Sequence, residues 1–360
     1  MLALVNATIT PATATALARE RSWQLNRVEL ISKAVESMSA DQRKSVRALI
    51  IEAEPVSDAL LAQLNSLELI ACLRSDPVNV DVTAATRRGI PVVHTPGRNA
   101  EAVADFTLGL CLAAARSIAI AHHEIVSDRL TTAVPSQRIH TAPGDAIWRP
   151  DDPADPIPYV IFRGRELSGL TVGVVGFGAV GRAVARRFGG LVHAVHVADP
   201  AVSPDTISGS GFSPTPLSEL LPIADVLTIH ARSATVVIGR DQLRQMKPGS
   251  ILINTARATV LDYDALSESL ESGHLRAAAL DVFPLEPIPA ASPLLRQKNL
   301  TLTPHIAGAT VEVGDRQSEI MLAAVRGLYG NEGWSGLPVR NPQLYERWTA
   351  EQRAKAGEPL

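Results

Sequence analysis

Three residues in the second half of the chain have the types that carbonyl chemistry needs. Arg257 follows Leu252-Ile253-Asn254-Thr255-Ala256, Glu286 follows Leu280-Asp281-Val282-Phe283-Pro284-Leu285, and His305 follows Leu300–Pro304. Each is charged or titratable and stands just after a strand-like apolar run, flanked by turn formers, where open α/β sheets gather ligand groups. Hydride transfer to a carbonyl carbon requires a cation that clamps a carboxylate and polarises the carbonyl, a role suited to planar Arg. It requires a proton donor that titrates near neutrality, for which His is the natural choice. It also requires a carboxylate that orients the imidazole and favours its charged form. Taken singly, the three also fit ordinary duties: Arg257 as a surface ion-pair partner, His305 as a loop hydrogen bonder, Glu286 before Pro287 as an exposed turn. Spacing alone leaves both readings open, as it does for Asp281, either a helix or turn cap or a residue facing a nicotinamide amide.

A cofactor site for such chemistry is written into residues 172–188. An apolar, β-branched run enters Gly176-Phe177-Gly178-Ala179-Val180-Gly181 and leaves into the amphipathic stretch Arg182–Phe188. Gly176 allows a tight turn out of a strand, and Gly178 leaves room for a pyrophosphate against bare backbone. Gly181 lets the new helix pack closely on the sheet, while the N–H groups at the helix start, around Ala179 and Val180, face the phosphates. A second strand-like run, Ala194–Ala198, ends at Asp199, 18 residues after Gly181, about where an acid grips a ribose 2′-hydroxyl. A plain strand–helix turn would explain the glycines but not Asp199. Because its charge would repel a 2′-phosphate, NAD is expected rather than NADP.

The elements that position these groups alternate in type. Strand-like runs are expected at Leu2–Asn6, Ala48–Ile51, Leu67–Leu73 and Pro91–His94, with helical patterns at Ala12–Arg19 and Ser57–Leu64. From Val172 onward, strands at Val172–Val175, Val192–Val197, Val226–His230, Ile251–Asn254 and Ala277–Leu280 alternate with helical patterns at Pro216–Leu221, Arg240–Met246 and Tyr263–Ser272. Such alternation indicates α/β layers on parallel sheets. Asn99–Ala121 reads as one long helix, apolar over most of its surface and therefore buried. The proline-dense stretch 131–158 reads as a loop, and a last helix, Glu312–Leu328, returns the chain to the first domain. The expected division is a discontinuous domain of 1–118 and 308–350, an inserted nucleotide domain of 119–307 with a cleft between the two lobes, and a tail at 351–360.

Composition bounds the partners. The 360 residues are 46% hydrophobic and 20% charged, with net charge −3, a globular balance with no basic field to attract nucleic acid. Cys72 and Cys111 are too few for a disulfide framework and fit a reducing compartment. The N-terminus lacks the pattern of a signal peptide, and the apolar stretch 102–121 carries Asp105 and Arg116, so no membrane span and a cytoplasmic location are expected. His and Cys do not cluster at ligand spacings, and no metal is expected.

From about Ala48 to about Leu328 the chain resembles the D-isomer-specific 2-hydroxyacid dehydrogenase family, which includes phosphoglycerate, glycerate and D-lactate dehydrogenases. The resemblance rests on Val78-Asn79-Val80-Asp81, Arg88–Val92, Thr95–Asn99, Ala102–Asp105, Leu167–Gly181, Asn254–Arg257, Ala279–Pro287 and Thr303–Gly308, in that order. It implies two Rossmann-like lobes: a flavodoxin-like substrate domain and an inserted, doubly wound NAD-binding domain. It implies that Arg257 binds a 2-oxo acid, that His305 is the general acid/base with Glu286 raising its pKa, and that Asp281 and Asp199 serve the nicotinamide and adenosine ends of NAD. A Gln replaces the Glu in the family's formate dehydrogenases, so Glu286 argues against formate. A homodimer acting on a small 2-hydroxy or 2-oxo acid is implied, the rival being a non-catalytic NAD(H)-sensing, corepressor-like protein of the same superfamily. Two departures stand out. Arg74-Ser75-Asp76 occupies the substrate-binding loop where relatives often have glycines, and Ala258 replaces the glycine that commonly follows the arginine.

Overall fold

A computed structural model describes residues 1–130, 157–330 and 333–349, so the proline-dense segment 131–156 and the tail 351–360 lie outside the described residues. The chain divides into two compact units, Met1–Asn99 with Ala309–Leu360, and Ala100–Gly308. The chain passes from the first unit to the second between Asn99 and Ala100, so the long apolar helix falls within the second.

In the first unit, strands β1 (Leu2–Asn6), β2 (Gln24–Arg27), β3 (Val46–Ile51), β4 (Leu69–Cys72) and β5 (Val92–His94) form one parallel sheet. Their order, β2-β1-β3-β4-β5, is that of a flavodoxin-like sheet. Both faces are covered, which is why its inner strands are continuous apolar runs. Ala48 and Ile50 point into a core with Met321, Ala324 and Val325 of the returning helix Val311–Leu328, while Leu49 and Ile51 point into a second core with Val35 and Leu61. The edge strand β2 escapes the sequence pattern because Gln-Leu-Asn-Arg has no apolar periodicity and is recruited by backbone pairing with β1.

In the second unit, β6 (Thr171–Val175), β7 (Ala194–Ala198), β8 (Ser213–Pro214), β9 (Val226–Ile229), β10 (Ile251–Asn254), β11 (Ala277–Leu280) and β12 (Leu300–Leu302) form a parallel sheet of order β12-β11-β10-β9-β6-β7-β8. The chain leaves β6 toward one edge and resumes at β9 toward the other, so a crevice opens between the C-terminal ends of β6 and β9. Val172 and Val174 pack with the helix Ala179–Phe188 in one core, and Leu227, Ile229 and Leu252 fill the other.

The expected single helix over Asn99–Ala121 is two helices, Ala100–Ala115 and Ile118–Val126, bent by 66°. The break has a tertiary cause. The Arg165 N–H donates to the Ala115 carbonyl (3.0 Å), Gly164 lies against the Arg116 backbone, and Ser117 turns left-handed at φ 56°. The first helix is largely buried, but the second buries none of its residues, contrary to expectation. Among the described residues no single helix is long and apolar enough to cross a membrane.

Candidate active site

The fingerprint folds as its residue types require. Gly176 has φ 97°, and a Cβ there would stand 2.6 Å from the Ala231 nitrogen. A Cβ on Gly181 would overlap the Gly176 carbonyl oxygen, so neither position admits a side chain. Gly178 faces open space at the N-cap of the ten-residue helix Ala179–Phe188, and no side chain caps that helix start. Uncapped N–H groups beside an open backbone fit a pyrophosphate. Asp199, at the tip of β7, is fixed by two donors: the Phe177 N–H reaches Oδ2 at 2.6 Å and the Ala201 N–H reaches Oδ1 at 2.8 Å. The acid is thereby locked onto the fingerprint turn.

At the far side of the same sheet edge, β10, β11 and β12 deliver the remaining groups. His305 Nδ1 donates to Glu286 Oε2 at 2.7 Å, and Glu286 Oε1 accepts the Phe283 N–H at 2.9 Å. Burial would raise the Glu286 carboxyl, but the hydrogen bonds from His305 and Phe283 and the charges of His305 and Arg257 outweigh it and hold it below the usual range. Arg257 is exposed after β10, and Asn254 ties that turn together by donating to the Arg257 carbonyl (3.0 Å) and accepting the Ala256 N–H (3.0 Å). Ala258 opens a short 3₁₀ turn, Ala258–Val260, whose right-handed backbone takes a methyl group without strain.

Asp281 is wholly buried and acts as a loop anchor: Oδ1 accepts the Thr303 hydroxyl (2.6 Å) and the Ile306 N–H (3.0 Å), and Oδ2 accepts the Ala307 N–H (2.8 Å). These bonds straddle His305, whose backbone is left-handed at φ 55°. In the first unit, Arg74, Ser75 and Asp76 follow β4; Asp76 pairs with Arg340 at 3.6 Å, and the Ser75 carbonyl contacts His94 Nδ1 at 3.0 Å.

The strand-end pattern that marks Arg257 and His305 also marks the end of β9, where sequence reasoning passed over His-Ala-Arg. His230 is buried there, with Nε2 on the Thr228 hydroxyl (2.8 Å) and Nδ1 without a partner among the described residues. Burial brings its pKa down to about 3, so the ring is neutral. Cys72 and Cys111 are buried free thiols pushed up to about 11 and 12, which excludes them as nucleophiles.

Residues 158–307 match the model of the D-isomer specific 2-hydroxyacid dehydrogenase NAD binding domain. A glyoxylate reductase from Korarchaeum cryptofilum is 33% identical over 271 residues, which are 74% of this chain and 75% of that protein. A D-3-phosphoglycerate dehydrogenase from Mycobacterium tuberculosis is 35% identical over 283 residues, but the match spans only 48% of its length. Among solved structures, an NADPH-dependent glyoxylate/hydroxypyruvate reductase from Sinorhizobium meliloti is 27% identical, with a TM-score of 0.71 over 92% of this chain and 95% of that one. Identity sustained over three quarters of a relative's length, on a fold shared almost end to end, reflects common descent, and the chain belongs to the D-isomer specific 2-hydroxyacid dehydrogenase family.

Proposed function

We propose that the protein transfers a hydride between NAD(H) and a D-2-hydroxy acid/2-oxo acid pair. The observation that carries this reading is the 2.7 Å His305–Glu286 pair, with Arg257 near enough to act on Glu286. The bound nicotinamide supplies or accepts the hydride. Arg257 clamps the substrate carboxylate and draws electron density from the carbonyl oxygen. Glu286 fixes Nδ1 of His305, so Nε2 is the atom that donates a proton to the developing alkoxide or removes it in the reverse direction. The uncapped start of the helix Ala179–Phe188 holds the pyrophosphate, and the fixed carboxylate of Asp199 accepts from the ribose and disfavours a 2′-phosphate, unlike the NADPH-dependent relative. Asp281, placed beneath the histidine loop, keeps His305 in position.

Arg74, Ser75 and Asp76 recognise the rest of the acid, the charge of Asp76 being met by Arg340. The buried free thiols support a reducing, cytoplasmic setting, and exposed Ile118, Ile125, Val126 and Tyr159 support a homodimer through the second unit.

The test is NADH oxidation across small, branched, aromatic and phosphorylated 2-oxo acids, with His305→Ala beside the wild type and the same preparations sized by light scattering. The variant is expected to lose turnover about 100-fold or more while binding NADH as before. Equal loss of binding and turnover would remove His305 from the proton-transfer role.

A further inference from the structure

We propose that Arg232 is the cation that neutralises the cofactor's pyrophosphate. This rests on the NAD(H) reading and adds to it a residue from the one central strand end to which no duty has been given. The C-terminal ends of six neighbouring strands bring up His305 (β12), Asp281 (β11), Arg257 (β10), Arg232 (β9), Gly176 (β6) and Asp199 (β7), in that spatial order. A dinucleotide with its adenosine end at Asp199 and its nicotinamide end at His305 must pass over the ends of β6 and β9. Arg232 stands at that crossing.

Its backbone is held from both sides. Ala231 lies against Gly176, where a Cβ would meet the Ala231 nitrogen at 2.6 Å and its Cα at 2.8 Å. On the other side the Thr259 hydroxyl donates to the Ser233 carbonyl at 3.0 Å, and the Val237 N–H donates to the Val260 carbonyl at 2.9 Å. Residue 232 is therefore pinned between the phosphate turn and the segment that follows Arg257. Its side chain is exposed and makes no hydrogen bond or ion pair among the described residues.

The charge is needed there. A helix N-terminus offers roughly half an elementary charge, less than a pyrophosphate carries. Of two other groups near the turn, His230 is buried and neutral, and the Arg182 guanidinium is turned onto the Phe177 ring, 4.3 Å from its centroid. A guanidinium at residue 232 pairs two N–H donors with phosphate oxygens.

The experiment titrates NADH by fluorescence into the wild type, Arg232→Ala and Arg232→Lys at low and high salt, with ADP and adenosine as competitors. Arg232→Ala is expected to raise the NADH Kd about tenfold at low salt, with the gap closing as salt rises. ADP should weaken in parallel, adenosine should bind as before, and Arg232→Lys should recover part of the loss. An NADH Kd for Arg232→Ala within about twofold of wild type would overturn the proposal. Equal weakening of ADP and adenosine would also overturn it, by showing contact with the adenine and not the phosphates. Absence of NADH binding to the wild-type protein would instead overturn the cofactor reading beneath it.

Discussion

The Glu286 carboxylate faces two donors, His305 Nδ1 and the Phe283 N–H, and this double hold makes it a positioning group as well as a charge. His305 adopts a left-handed backbone, a conformation that costs a non-glycine residue about 1–3 kcal/mol and persists where its surroundings over-determine it. Here the three bonds to Asp281 do so. Because Glu286 is held below the ordinary carboxylate range, it stays ionised through neutral pH, and its pairing fades only as pH falls through its own lowered value. Glu286→Gln replaces that charge with an amide that cannot favour a protonated imidazole. Reduction of a 2-oxo acid by this variant is expected to be about 100-fold slower at pH 7 while NADH binds as before. Steady-state kcat/KM beside an NADH titration checks this; a kcat/KM within about threefold of wild type would remove the carboxylate from the proton relay.

The fingerprint separates two uses of glycine within one turn. At Gly181 an added methyl group overlaps a backbone carbonyl that has nowhere to move, so Gly181→Ala is expected to destabilise the second unit by about 3 kcal/mol or more. At Gly178 the space is open, so Gly178→Ala should leave the denaturation midpoint nearly unchanged while weakening NADH binding. Denaturant melts and NADH titrations of the two variants, compared side by side, distinguish a packing glycine from a ligand glycine. Equal destabilisation by both would erase the distinction.

Within the whole molecule, stability and chemistry occupy opposite edges of the second sheet. At the N-terminal edge, Asp225 has a side chain 4% exposed; it accepts Arg165 (2.7 Å), Lys247 (2.8 Å) and the Thr171 N–H (2.9 Å) and so binds β6 to the start of β9. Burial alone would raise its pKa, but the Lys247 bond, the Thr171 N–H and Arg165 together lower it. A lowered folded value means that its stabilisation is complete above the ordinary carboxylate range and is lost as pH falls through the folded value. The two cations are 39% and 43% exposed, which discounts the network for solvent screening. Asp225→Asn is expected to cost about 1–3 kcal/mol at pH 7, with the difference from wild type shrinking below about pH 4. Urea melts at both pH values measure it. A pH-independent difference would mean that packing, not charge, is at stake.

What the sequence determined by itself is local. Apolar runs buried on both faces marked the inner strands, glycines at fixed spacing marked the phosphate turn, and breakers placed Arg257, Glu286 and His305 at strand ends, because each of these signals lies within a few neighbouring residues. The tertiary structure decided what depends on distant partners. Glu286 and His305 are 19 residues apart, and only the neighbouring β11 and β12 ends let them meet. Asp281, whose role spacing left open, is buried and bonded to the histidine loop by partners 22 to 26 residues away. The helix over Asn99–Ala121 breaks because Gly164 and Arg165 reach Ala115 and Arg116 from about 50 residues away, where no local periodicity records them. Arg232 shares the strand-end signal of Arg257 and His305, but it is the pairing of β9 with β6 that sets it beside the phosphate turn.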